Sequence, residues 1–101
     1  MKSKSYKIKA KIWLYPGENA NWHFLTIPKK ESSLITLHYK AFKKGLGSLP
    51  VEARIKKTTW TTSIFPDNKS GTYLLPLKAL IRRAEGLEKD DTVTFSIVIT
   101  P

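Results

Sequence analysis

Lys78 and Arg82 stand four residues apart in a stretch, Leu77 to Glu85, that reads as a short helix. That spacing puts both cationic heads on one helix face. Lys78 falls in the first turn, where the helix dipole disfavours a cation unless an anion sits beside it. The pair therefore suits a bound phosphate or carboxylate. Trp60 and the hydroxyls of Thr62 and Ser63 are candidates to complete such an anion or ligand pocket. The same residues also suit a solvated helix face, barrel filling and cross-strand pairing.

A second constellation is basic. Lys7, Lys9 and Lys11 alternate with apolar residues and lead into Trp13 and Tyr15. Arg54 and Lys56 add charge on another strand. Basic residues mixed with aromatics on one surface are what nucleic-acid binding requires. A lysine row also guards a sheet edge and keeps a domain soluble.

Other chemistry finds little material. The chain has 2 histidines, His23 and His38, and no cysteine. Neither histidine has neighbours at metal-ligand spacing. Ser63 has no histidine and acid near it in sequence to form a triad. Glu52, Asp67 and Glu85 are scattered, and no glycine-rich phosphate loop is present. The expectation is a non-catalytic protein with no metal and no cofactor.

The elements that must position these residues follow from periodicity. Tyr6 to Tyr15 alternates, with Tyr6, Ile8, Ala10, Ile12 and Leu14 on one side and the lysines, Trp13 and Tyr15 on the other. Period two predicts a strand with one buried face. Pro16 to Asn21 is turn chemistry, and Trp22 to Ile27 predicts a second strand. Pro28 stops it. Lys29 to Lys44 predicts a helix capped by Ser32 or Ser33, with Leu34, Leu37, Ala41 and Phe42 as its apolar stripe and Gly45 at its end. Val51, Ala53 and Ile55 mark a third strand, and Thr58 to Phe65 a fourth. The tight Lys56-Lys57 link predicts a hairpin, although neither residue favours a positive φ. Pro66 to Gly71 reads as an exposed loop. Thr72 to Leu75 predicts a fifth strand. A helix follows, with Leu77, Leu80, Ile81 and Ala84 inward and Gly86 at its end. Thr92 to Ile99 predicts the last strand.

This order is β-β-α-β twice, with Ile27-Pro28-Lys29 and Leu75-Pro76-Leu77-Lys78 at equivalent places. Two such halves predict a mainly β fold. It is a small six-stranded, closed or half-closed barrel with two short helices and pseudo-twofold symmetry, which removes exposed edges.

The chain's 101 residues fit a single domain, 1–101, with residues 1–5 frayed. Eighteen Lys and Arg against 8 Asp and Glu give a net charge of +10, which attracts anions. The absence of cysteine favours a reducing compartment. No apolar run approaches a membrane span, and the basic N-terminus lacks the apolar centre of a signal peptide. These features predict a cytoplasmic protein, monomeric or weakly dimeric. Its partner is expected to be nucleic acid or a small anionic ligand, with a small-molecule pocket in or beside the barrel, or protein interaction, as the alternatives.

Several runs carry a family resemblance. They are Gly47 to Ile55, then Trp60-Thr61-Thr62-Ser63-Ile64-Phe65-Pro66, then Gly71 to Lys78 and on through Ile81 to Gly86. Together with Trp22…Pro28 they resemble the bacterial domain-of-unknown-function 1905 family across nearly the whole chain. The resemblance implies a double-split barrel and names no activity, ligand or partner. Two turns depart from the family pattern. Lys56-Lys57 replaces a glycine-rich hairpin turn, and Asp90-Asp91 replaces Gly-Asp. The segment from Leu75 to Val93 is also similar to the strand-Pro-helix-strand unit of swapped-hairpin transcription regulators and antitoxins.

Overall fold

The computed structural model describes residues 4–15, 22–40 and 47–100. Its elements run β1 (Ser5–Leu14), β2 (His23–Ile27), α1 (Lys29–Tyr39), β3 (Leu49–Ile55), β4 (Thr58–Asp67), β5 (Thr72–Pro76), α2 (Ala79–Glu85) and β6 (Thr92–Ile99). The six strands close into an antiparallel barrel in the order β1-β2-β5-β4-β3-β6. Exchanging the two β-β-α-β halves maps this cyclic order onto itself, with the β2–β5 and β3–β6 pairings on the pseudo-twofold. The fold expected from the sequence is the fold observed, and the barrel is fully closed.

Closure depends on two ten-residue strands that each serve two neighbours. β1 pairs with β6 through Ser5↔Val98 to Lys11↔Thr92, then with β2 through Ile12↔Leu25 to Leu14↔His23. β4 likewise pairs with β3 up to Leu49↔Ile64 and then with β5 from Phe65↔Leu74. Where β1 changes partner, the backbone of Ile12 is held by the turn before β6. Its N–H donates to the Asp91 carbonyl, and its carbonyl accepts the Asp90 N–H, both at 2.9 Å.

Period-two alternation fills the barrel. Ile8, Ile12, Leu25, Ile27, Val51, Ala53, Ile64, Leu75, Phe95, Ile97 and Ile99 are all buried in one core. The interior is packed with side chains, so a binding site has to lie outside it. Ser5, expected to fray, is the first residue of β1 and stands opposite Val98, while residues 1–3 lie outside the described residues.

The helices depart from the sequence reading in which face they bury. α1 buries Ser32 and Ile35 and packs Tyr39 against the core. Leu34 and Leu37, expected inward, are exposed, Leu37 by 74%. The reason is Ser32. Its hydroxyl donates to the Ile27 carbonyl at 2.8 Å and accepts the Tyr73 N–H at 3.0 Å. This sews α1 to β2 and β5 and sets the helix rotation. Neither serine caps the helix, because Pro28 occupies the N-cap and the helix has no side-chain cap bond. The expected continuation through Ala41, Phe42 and Gly45 lies outside the described residues.

α2 starts at Ala79, so Leu77 packs ahead of the helix and Lys78 is its N-cap. Leu77 and Ile81 are buried as expected, whereas Leu80 is 69% exposed and Ala84 also faces water. A helix of seven residues has one buried stripe only, and Ile81 takes it. Gly86 ends the helix at φ 63, with the Leu87 N–H reaching the Arg82 carbonyl at 2.8 Å. Here the left-handed backbone requires a glycine-like residue. No helix among the described residues is long and apolar enough to cross a membrane.

Candidate functional site

A groove of about 670 Å³ opens between the outer surface of β2, β4 and β5 and the start of α2. Its position follows from strand parity. Leu25, Leu75 and Ile64 point into the core, so Phe24, Leu74 and Phe65 beside them come to the outside. Register then gathers them, since Phe65 stands opposite Leu74 and Phe24 opposite Pro76. Trp22, 63% exposed, extends the apolar wall. The backbone of Leu77 closes one side by donating to the His23 carbonyl at 2.9 Å.

Lys78, Ala79 and Arg82 form the opposite wall. The expected shared face of Lys78 and Arg82 is therefore present, and it borders the groove. The dipole argument does not survive. Lys78 precedes a helix of only seven residues, so two side-chain cations are what make the wall positive. Arg82 is partly buried, and its Nε is sealed from water with no acceptor among the described residues. A guanidinium N–H in that state lacks the partner that a buried donor normally has.

Of the five residues proposed for the ligand site, Thr62, Lys78 and Arg82 line the groove. Trp60 and Ser63 do not. Trp60 stands opposite Ala53 and packs half-buried on the core, its indole N–H lacking an acceptor among the described residues. Ser63 stands opposite Pro50, away from the groove wall.

The basic constellation occupies a different face. β6 lies between β1 and β3, and Ser96 stands opposite both Lys7 and Arg54. Lys9 faces Thr94, and Lys11 faces Thr92. The result is a lysine ridge and an Arg54 side flanking a floor of hydroxyl side chains. A concavity of about 590 Å³ there is lined by Lys7, Arg54, Lys56, Thr94 and Ser96, and also by Glu85. Glu85 accepts a hydrogen bond from Thr58. The Arg54 Nε donates to the Lys56 carbonyl at 2.7 Å, which ties the arginine to the hairpin turn.

Trp13, an aromatic member of that constellation, belongs with Tyr15 to an aromatic cluster beyond Lys11. Its indole donates to the Thr26 hydroxyl at 2.8 Å. Its ring centroid lies 5.4 Å from Phe24 and 6.3 Å from Tyr15, and Trp22 stacks on Phe24 at 6.4 Å and 16°.

His38 lies within 3.4 Å of the Lys4 ammonium. Among the described residues no group of three His, Asp or Glu side chains comes together to hold a metal.

The chain matches the family described as Domain of unknown function (DUF1905) over residues 9–97. It belongs to the DUF1905 family. No curated protein matches it. The DUF1905 match reaches into every strand of the barrel and covers the whole groove and the basic face apart from Lys7. The two turns that depart from the family pattern acquire a physical meaning here. Among the described residues, Lys56 and Asp90 are the non-glycine residues of positive φ, at 52° and 72°. They occupy positions where glycine carries no steric cost.

Groove residues that sequence reasoning missed are Trp22, His23, Phe24, Phe65, Leu74 and Pro76. Their signal was present in one form. Phe24, Phe65 and Leu74 are large apolar residues at the outward parity of strands whose other parity was already apolar.

Proposed function

We propose that this protein is a non-catalytic binding module for a small anionic ligand with a flat apolar body, held in the groove beside the barrel. The observation that carries the reading is Arg82. It joins Lys78 on one wall of a groove whose other lining is largely aromatic and apolar. A carboxylate or phosphate pairs with these two cationic side chains, and the Trp22, Phe24, Phe65 and Leu74 surfaces take the apolar body. The volume of about 670 Å³ falls within the range of small-molecule sites. Thr62 offers a hydroxyl, and among the described residues no carboxylate lines the groove to repel an anion. A cytoplasmic location fits this reading and the absence of cysteine.

The test is a thermal-shift screen of aryl and alkyl carboxylates and phosphates, followed by calorimetry on those that stabilise. Arg82→Met retains the aliphatic stem and removes the charge. A hydrogen bond to a charged group is worth about 1.5–3 kcal/mol, so affinity falls by roughly ten- to a hundredfold. Uncharged analogues bind the wild type no better than the variant. Equal affinity of wild type and variant for the charged ligand overturns the reading.

A further inference from the structure

Strand β1 joins the two surfaces described above, and neither surface alone explains its outer row. Its outward positions run Lys7, Lys9, Lys11, Trp13 and on to Tyr15 just past its end, three cations followed by two aromatics in one line. Alternate residues on a strand are about 7 Å apart. The lysines therefore present charges at a pitch comparable with the phosphate repeat of an extended nucleic-acid strand. Across β6, Arg54 faces the same floor through Ser96.

The aromatic end is open. Tyr15 is 52% exposed and Trp22 63%. Trp13 is pinned by its bond to Thr26, and Phe24 lies within ring contact of Trp13, Tyr15 and Trp22. A rigid, exposed ring cluster at the end of a cationic track is the combination that single strands use. The backbone follows the charges, and an unstacked base lies on a ring. Duplex DNA, with its bases paired inside, gains nothing from the rings.

We propose that the outer row of β1 binds single-stranded nucleic acid, with the phosphates along Lys7, Lys9, Lys11 and Arg54 and a base stacked at Tyr15 and Trp22. The two sites adjoin at Trp22, which also lines the groove, and the test uses Lys7, Lys9, Lys11 and Tyr15, which the groove does not contain.

The experiment is fluorescence anisotropy with a labelled oligothymidylate of about ten nucleotides, within the site size of small barrels. Four phosphate contacts give a log–log salt slope of about −2.8, or a loss of about 50-fold for a fourfold rise in salt. The triple variant Lys7→Gln, Lys9→Gln, Lys11→Gln flattens the slope by about 2. Tyr15→Ala, at an exposed ring, weakens binding about fivefold or more and leaves the salt slope unchanged. Circular dichroism melts of both variants establish that they fold as the wild type does. Two results overturn the proposal. One is a duplex or inorganic polyphosphate binding as tightly as the oligothymidylate. The other is a folded Tyr15→Ala variant binding as tightly as wild type.

Discussion

At the scale of single residues, Ser32 shows how a polar side chain can decide packing. It is fully buried, and its one hydroxyl serves Ile27 and Tyr73 from the fourth position of α1. Leu34 and Leu37 offered an equally regular helical stripe, but turning them inward would carry the hydroxyl away from both backbone groups. Ser32→Ala leaves the Tyr73 N–H without this acceptor in a dry setting. The expected loss is about 1–3 kcal/mol, measured by urea denaturation. A loss no larger than that of Ser33→Ala, an exposed neighbour, contradicts the role. Tyr6 provides a pH-dependent counterpart. Burial pushes its phenol above the ordinary value of 10.0, with the nearby Tyr39 adding to the rise. Its oxygen has no partner among the described residues. The unfolded tyrosine ionises near pH 10 while the folded one stays neutral. Its contribution is therefore intact below that pH and is lost as pH climbs through the folded value. Tyr6→Phe should decline in stability less steeply than wild type above pH 10.

At the scale of elements, the strands were legible because one buried face imposes period two, and the hydrophobic rows of β1, β3 and β6 keep it without interruption. Ends were less legible. β3 begins at Leu49, in phase with Val51 across Pro50, and β4 runs on to Asp67, because the barrel pairs these ends with Ile64 and Thr72. Helix rotation was legible only in part, since two stripes at helical spacing compete in α1 and the deciding bonds come from β2 and β5. The groove was the least legible feature. Its apolar wall is drawn from the approach to β2 and from β2, β4 and β5, and only the register brings Phe65 to Leu74 and Phe24 to Pro76. The turns give a quantitative check. Lys56 adopts φ 52 in the β3–β4 hairpin. A side chain there costs about 1–2 kcal/mol, and glycine's greater unfolded freedom returns about 0.5–1 of the gain. Lys56→Gly should stabilise the protein by about 0.5–1 kcal/mol. Asp90→Gly should gain less, because aspartate tolerates the left-handed region better than lysine. A destabilised Lys56→Gly protein with an unchanged hairpin contradicts this account of the turn.

At the scale of the whole molecule, the closed barrel and the charge oppose each other. Every strand has two partners, but Lys7, Lys9 and Lys11 lie in the part of β1 that pairs with β6 alone, so one side of that segment is an edge that the lysine row protects. That protection has a cost, because these lysines add to a net charge of +10 on a body of only 34 × 31 × 22 Å. Like charges confined to that volume repel and weaken the compact state. At about 0.01 M salt the screening length is about 30 Å, so every charge feels nearly every other. At about 0.15 M it is about 8 Å, and only neighbours interact. Simple salt should therefore raise the melting temperature across this range. Relief of about 1 kcal/mol corresponds to roughly 4–8 °C for a domain of this size. The Lys7, Lys9, Lys11 triple glutamine variant removes three of the ten net charges, and because repulsion scales with the square of the charge, the salt effect should fall to roughly half. Differential scanning calorimetry in sodium chloride reads both numbers. A melting temperature indifferent to salt, or a variant as salt-sensitive as wild type, means that the repulsion is already cancelled locally and that the lysine row carries no strain for a bound anion to relieve.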